Sequence, residues 1–230
     1  MSFALLAWLV LTSGAVLLLR WLPPLTSAGM LEARSSARVK GDLSYRTQFD
    51  WVDLEHISPN AAIAVIASED QSFPFHRGFD FNSIRDAVRS SEQGKRLRGA
   101  STISQQVAKN LFLWPGRSVV RKALEAYFTV LIEGLWPKER TLEVYLNIVE
   151  LGKGVYGVEA AARRFYHEPA ARLTPEEAAL LAAVLPNPRR LRVDRPSPYV
   201  LERREFILEQ MRDLGGTSYL QALQSRARSR

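Results

Sequence analysis

Cysteine is absent from the 230 residues, which excludes disulfide staples, thiolate nucleophiles and Cys-based zinc or iron–sulfur sites. Histidine is scarce: His56, His76 and His167 lie far apart, and none has the i,i+4 spacing of a helical metal site. No GxxxxGK[ST] occurs and dinucleotide chemistry is not expected, so bound phosphates would have to be held by side chains. Strand-type alternation and internal repeats are also missing, and the body is expected to be all-α.

What is present begins with an apolar N-terminus. Phe3–Leu19 carries no charge, and Arg20, Trp21 and Leu22 extend the stretch to about 20 residues, enough to cross ~30 Å of hydrocarbon. Trp8 and Trp21 stand near its ends, where indoles favour the headgroup level, and Pro23-Pro24 stops it. A cleaved signal peptide is the rival reading, but it needs a basic n-region and a shorter apolar core. Arg20, Arg34, Arg38 and Lys40 all follow the segment, so flanking charge alone leaves its orientation open. With 31 Lys+Arg against 24 Asp+Glu the net charge is +7, suited to an anionic membrane surface or polyanionic substrate. No nucleic-acid motif accompanies it.

The body is punctuated by helix starts. Ser58-Pro59, Ser118, Thr174-Pro175-Glu176-Glu177 and Ser197-Pro198 are caps or capping boxes ahead of apolar runs, and Gly215-Gly216 ends the last helix. Further helices are expected near 82–92, 102–112, 139–150 and 156–167, whereas 25–57 reads as linker and extended chain. The resulting division is an anchor over 1–24, a linker over 25–50, a catalytic domain over 51–216 and a basic tail over 217–230. Gly94–Gly99 is a basic, glycine-flanked loop, either a solvated turn or a flap near an anionic ligand.

Three segments place polar groups where helices should be apolar. Glu69 and Asp70 close an apolar helix at the negative end of its macrodipole, where an apolar surround would raise a carboxyl pKa toward that of a usable base. A plain ion pair with Arg77 is the bland alternative. Thr102, Gln106, Lys109 and Asn110 recur at helical spacing beside Ile103 and Val107, a donor stripe or simply an exposed amphipathic face. Arg121 and Lys122 stand four and three residues before Glu125. Two carboxylates alone would suggest glycoside hydrolysis. Added cations suit a departing diphosphate, which needs charge neutralisation more than protonation.

The same residues carry a family resemblance. EDQSFPFHRGFD (69–80), GASTISQQVAKN (99–110), RKALE (121–125) and KERTLEVYLNIVELG (138–152), continued by GVEAAARRFY (157–166), resemble the peptidoglycan glycosyltransferases of family 51. The absence of SxxK points to the monofunctional biosynthetic type. The resemblance implies a lysozyme-like α fold on one N-terminal transmembrane helix, with the body on the periplasmic side of the inner membrane. It implies lipid II as donor and acceptor, the growing glycan strand as product, and other cell-wall synthesis and division proteins as partners. Glu69 matches the general base and Glu125 the second essential Glu, acting at the diphosphate directly or through Mg or Mn. Lys109, Arg117, Arg121 and Lys122 match diphosphate-binding positions. Ser101, Thr102, Gln105, Gln106 and Asn110 match the cleft wall, and Asp70, Phe73, His76, Lys138, Tyr145 and Asn147 are further substrate-site candidates. Ala100 replaces a glycine of many relatives and would make that loop less permissive. A lytic enzyme on the same fold, or a membrane-anchored scaffold without turnover, are the competing functions.

Overall fold

The caps read from the sequence all form. In the computed structural model, which describes residues 3–92, 101–116 and 118–223, Ser58, Ser118 and Ser197 accept from backbone N–H groups in the first turns of their helices. Thr174 and Glu177 form the expected capping box. The basic loop 94–98, Ala100, Arg117 and the arginines of 224–230 lie outside the described residues.

In chain order the elements are α1 (Phe3–Leu18), α2 (Ala28–Val39), β1 (Gln48–Phe49), α3 (Pro59–Glu69), α4 (Phe81–Glu92), α5 (Ile103–Phe112), α6 (Val119–Leu135), α7 (Lys138–Ile148), β2 (Glu150–Gly152), β3 (Val155–Tyr156), α8 (Val158–Phe165), α9 (Pro175–Ala183) and α10 (Pro198–Asp213), with short 3-10 turns at 54–56, 170–172 and 216–220. The protein is therefore mainly helical, but not purely so. A small sheet in the order β1-β3-β2 pairs Gln48 with Val155 in parallel, and Glu150 with Tyr156 across an antiparallel hairpin. Strands of two or three residues are too short to show alternation, which is why the sequence hides them.

Helix α3 is apolar on every side, and Ala61–Ala67 are all buried. A helix of that kind belongs inside the protein. It is packed by α9, α10 and α7, and its C-terminal Glu69 emerges, partly exposed, at the edge of a cavity. Helix α5 buries Ile103 and Val107 and lies against α6, α7 and α2. Residues 28–39, expected as linker, form α2, capped by Ser27 and buried through Met30, Ala33 and Ala37. Small residues at that spacing make a contact stripe that gives little hydrophobic signal. Residues 217–223, read as the start of a tail, are ordered: Tyr219 donates to the Gln71 carbonyl at 2.6 Å, and Leu223 is buried.

Helix α1 has 16 residues, about 24 Å at 1.5 Å per residue. Among the described residues no helix is long and apolar enough to cross a membrane. Nor does α1 stand apart from the body. Trp8 stacks on Tyr127, Trp136 Nε1 donates to the Val16 carbonyl at 2.7 Å, and Val16 is fully buried. These contacts advance together along both chains, so α1 and α6 run parallel. Arg140 donates to the Leu19 and Leu22 carbonyls at 2.6–3.1 Å, a cation closing a helix C-terminus.

One Gly-x-Gly-x-x-Gly spacing does occur, at 152–157, against the expectation that dinucleotide motifs are lacking. It forms the β2–β3 hairpin and the start of α8, with no crossover between parallel strands. Gly157 takes φ 83°, and a Cβ there would stand 2.4 Å from the Asn147 carbonyl oxygen. Its requirement is steric.

Candidate active site

Burial of α3 sets the state of Glu69. Removal from water disfavours the carboxylate and raises its pKa, opposed by the Gln106 hydrogen bond and by the Arg203 and Lys109 charges, and assisted by neighbouring Asp70. Gln106 Nε2 donates to Glu69 Oε2 at 2.9 Å, and Tyr145 Oη, fully buried on α7, donates to Gln106 Oε1 at 3.3 Å. The amide is thus oriented from behind, so that its NH₂ faces Glu69.

Asp70 turns away from that arrangement. Both of its oxygens lie 2.9 Å from His76 Nε2, and Oδ2 accepts from the Ile103 N–H at the start of α5. Since the Gly78 N–H donates to His76 Nδ1 at 3.1 Å, the proton on His76 is at Nε2. Gly78 takes φ 85°, and a Cβ there would lie 2.8 Å from Glu133 and Thr129 side-chain carbons. Thr102 Oγ1 donates to the Gly78 carbonyl at 2.6 Å and caps α5, with Gln105 completing the box. The loop 70–80 and the start of α5 are therefore fastened together.

The cations of α5 and α6 gather around Glu125. Helix packing of α5 on α6 sets Lys109 near Glu125, whose attraction it feels more than that of Glu69; burial nevertheless lowers the lysine pKa. Glu125 is buried, pairing through Oε2 with Arg121 NH1 at 3.2 Å and through Oε1 with Lys122. Arg121 Nε is buried with no hydrogen-bond partner among the described residues.

Other candidates stand deeper. Phe73 is fully buried beneath Lys138, whose Nζ lies 4.4 Å from the ring centroid and 2.7 Å from Glu133 Oε1. Ser104 Oγ donates to the same Glu133 oxygen at 2.5 Å. Asn147 is fully buried, accepting from the Val52 N–H at 2.9 Å and donating to the Val52 and Glu143 carbonyls. Ser101 is exposed at the mouth, and Asn110 is half-buried on the last turn of α5. Sequence reasoning missed Arg203, 3.8 Å from Glu69 Oε1, and Glu133; neither lies in a segment that showed misplaced polarity.

A cavity of about 340 Å³ opens beside Glu69, lined by Ser68, Asp70, Ser72, Asp80, Ser101 and Phe206 among others. Its hydroxyl- and carboxylate-rich wall suits a polyhydroxy ligand. A larger cavity of about 660 Å³ between the 54–56 turn, α7 and residues 220–223 is lined by apolar and acidic residues, and none of the cations above lines it. Both oxygens of Glu125 already face fixed cations, and among the described residues no group of three or more His, Asp or Glu could hold a metal. That donor set does not fit a divalent ion.

The sequence model of the Transglycosylase family matches residues 36–212. The chain is 54% identical over 217 residues to a biosynthetic peptidoglycan transglycosylase of Pectobacterium carotovorum subsp. carotovorum (strain PC1), covering 94% of this chain and 87% of the relative. It is 54% identical over 221 residues to that of Klebsiella oxytoca, covering 96% and 91%. Against the protein of the same description in Escherichia coli (strain ATCC 8739), the figures are 55% over 213 residues, 92% and 88%.

Proposed function

The chain belongs to the transglycosylase family, and from that premise we propose that it is a peptidoglycan glycosyltransferase that joins lipid II units into glycan strands. The observation that carries the reading is a carboxylate, Glu69, held by Gln106 at the edge of a cavity, with Lys109 between it and the Arg121–Lys122–Glu125 cluster of α6. In the reaction, the 4-hydroxyl oxygen of the acceptor GlcNAc attacks C1 of the donor MurNAc. Its proton passes to Glu69. The C1–O bond to diphosphate breaks with its electron pair, and the cations neutralise the departing undecaprenyl diphosphate. Attack from the face opposite the leaving group turns an α link into a β-1,4 link.

Glu125 keeps Arg121 and Lys122 aimed at the diphosphate, and the family motif assigns Arg117 to the same anion. Gln106, Ser101 and Asn110 line the sugar path. Asp70, His76, Thr102 and Gln105 fix the loop and the start of α5, while Phe73, Lys138, Tyr145 and Asn147 support them from the interior. No step is routed through a metal.

The lysozyme-like body sits on the outer face of the cytoplasmic membrane, anchored by residues 3–22. Support comes from the exposed Phe3, Val10, Leu11 and Leu18 of α1 and from Val119 and Val120 on α6. The uncharged run Phe3–Leu19, extended by Arg20, Trp21 and Leu22, supports the single-pass anchor at the level of sequence.

The deciding experiment incubates purified full-length protein with lipid II and, separately, with finished glycan. Polymer from lipid II, lost in Glu69→Gln, supports the reading. Cleavage of finished glycan without polymerisation would mark a lytic enzyme, and wild-type polymer yield from Glu69→Gln would remove Glu69 as the base.

A further inference from the structure

The two oxygens of Glu69 are not equivalent. Oε2 is held by Gln106 at 2.9 Å, whereas Oε1 has no hydrogen bond among the described residues and faces Arg203 NH2 at 3.8 Å. That separation is beyond hydrogen-bond reach, so the arginine acts on Oε1 by charge and leaves its lone pairs open. Resting on Glu69 as the base, we propose that Oε1 is the oxygen that receives the acceptor proton, and that Arg203 is the positioning residue holding this carboxylate charged and ready.

Helix α10 explains how Arg203 comes to be there. Val200 and Ile207, three residues before and four after, are fully buried, so Arg203 shares their inward face. Phe206, one turn on, lines the cavity beside Glu69. The guanidinium side chain is 24% exposed and the Glu69 side chain 18%, so the pair meets at the edge of that cavity. Arg203 Nε is buried without a hydrogen-bond partner among the described residues, so no rigid donor network ties the guanidinium to the interior through that atom.

The groups acting on Glu69 come from four helices: Asp70 at the end of α3, Gln106 and Lys109 on α5, Tyr145 on α7 and Arg203 on α10. Lys109 is drawn chiefly to Glu125, on the diphosphate side. Arg203 reaches Glu69 from α10 instead. A bidentate arginine would leave Glu69 a poor proton acceptor, and loss of this cation would remove one of the charges that oppose the upward shift from burial. Charge without a hydrogen bond lies between these limits. As the glycosidic bond forms and the diphosphate departs, the acceptor proton moves to Oε1 and Arg203 loses its counter-charge. The unopposed cation then favours release of that proton to solvent, which restores the base.

The test measures polymerisation of lipid II from acid to alkaline pH for Arg203→Gln and for Arg203→Met, which keeps the apolar stem against Val200 and Ile207 should the Gln variant not fold. Loss of the cation should move the acid limb of kcat to higher pH, with about a tenfold lower rate below the limb for each unit of displacement, recovery at alkaline pH and little change in KM. Arg203→Lys should restore much of the limb. An unmoved limb, or a raised KM with the limb in place, overturns the proposal while Glu69→Gln remains dead. Activity in Glu69→Gln instead removes the underlying assignment of the base.

Discussion

Replacing Lys138 with Met withdraws the ammonium group that pairs with Glu133 in the interior. Both side chains are more than nine-tenths buried, at 9% and 8% exposure, and their charged atoms lie 2.7 Å apart. After the substitution Glu133 keeps only the Ser104 hydroxyl among its described polar partners, and Phe73 loses the cation above its ring. Breaking a buried pair from one side costs about 3–5 kcal/mol, because the remaining charge stays desolvated. For a chain of this size that corresponds to a fall in Tm of roughly 6–20 °C. Removing both charges, in Glu133→Gln/Lys138→Met, should cost less than Lys138→Met alone, since no uncompensated ion is left. Scanning calorimetry of the full chain in detergent, with KM for lipid II measured alongside, reads both effects. A Lys138→Met protein that melts within about 2 °C of wild type while its KM rises would refute the reasoning and assign the lysine to substrate.

Two further predictions concern Glu69 and Gly157. Because burial raises the folded-state pKa of Glu69, the folded protein binds that proton more tightly than the unfolded chain. Its stability therefore declines as pH rises from the ordinary Glu value of about 4.3 through the raised one. Glu69→Gln should melt higher than wild type at alkaline pH, with the advantage gone in acid; thermal unfolding at several pH values checks this, and a variant less stable throughout would contradict it. Gly157→Ala combines a positive φ with a Cβ 2.4 Å from the Asn147 carbonyl oxygen, and should destabilise by roughly 2–6 kcal/mol in urea unfolding. A loss under about 1 kcal/mol would mean that the chain relaxes at that crossing.

By itself the sequence determined the helices that begin with a cap and continue apolar, because capping and periodicity are local physics. Ser58, Ser118, Thr174 and Ser197 each start a helix where expected. It also disclosed the polar stripe of α5, since Ile103 and Val107 must turn inward and leave Gln106, Lys109 and Asn110 on another face. Helix α2 and the three short strands escaped, the first because alanines carry its contacts and the others because two or three residues show no period. Only the tertiary structure could separate Lys109 from Lys138, two lysines in equally polar motifs: one lies between Glu125 and Glu69, and the other pairs with Glu133 above the Phe73 ring. Nor could any local pattern bring Arg203 to Glu69 across 134 positions of chain, for that meeting depends on α10 packing against the buried α3. Local order follows from neighbouring residues. The partner of a charge is chosen by the packing of helices distant in sequence, and so is its pKa.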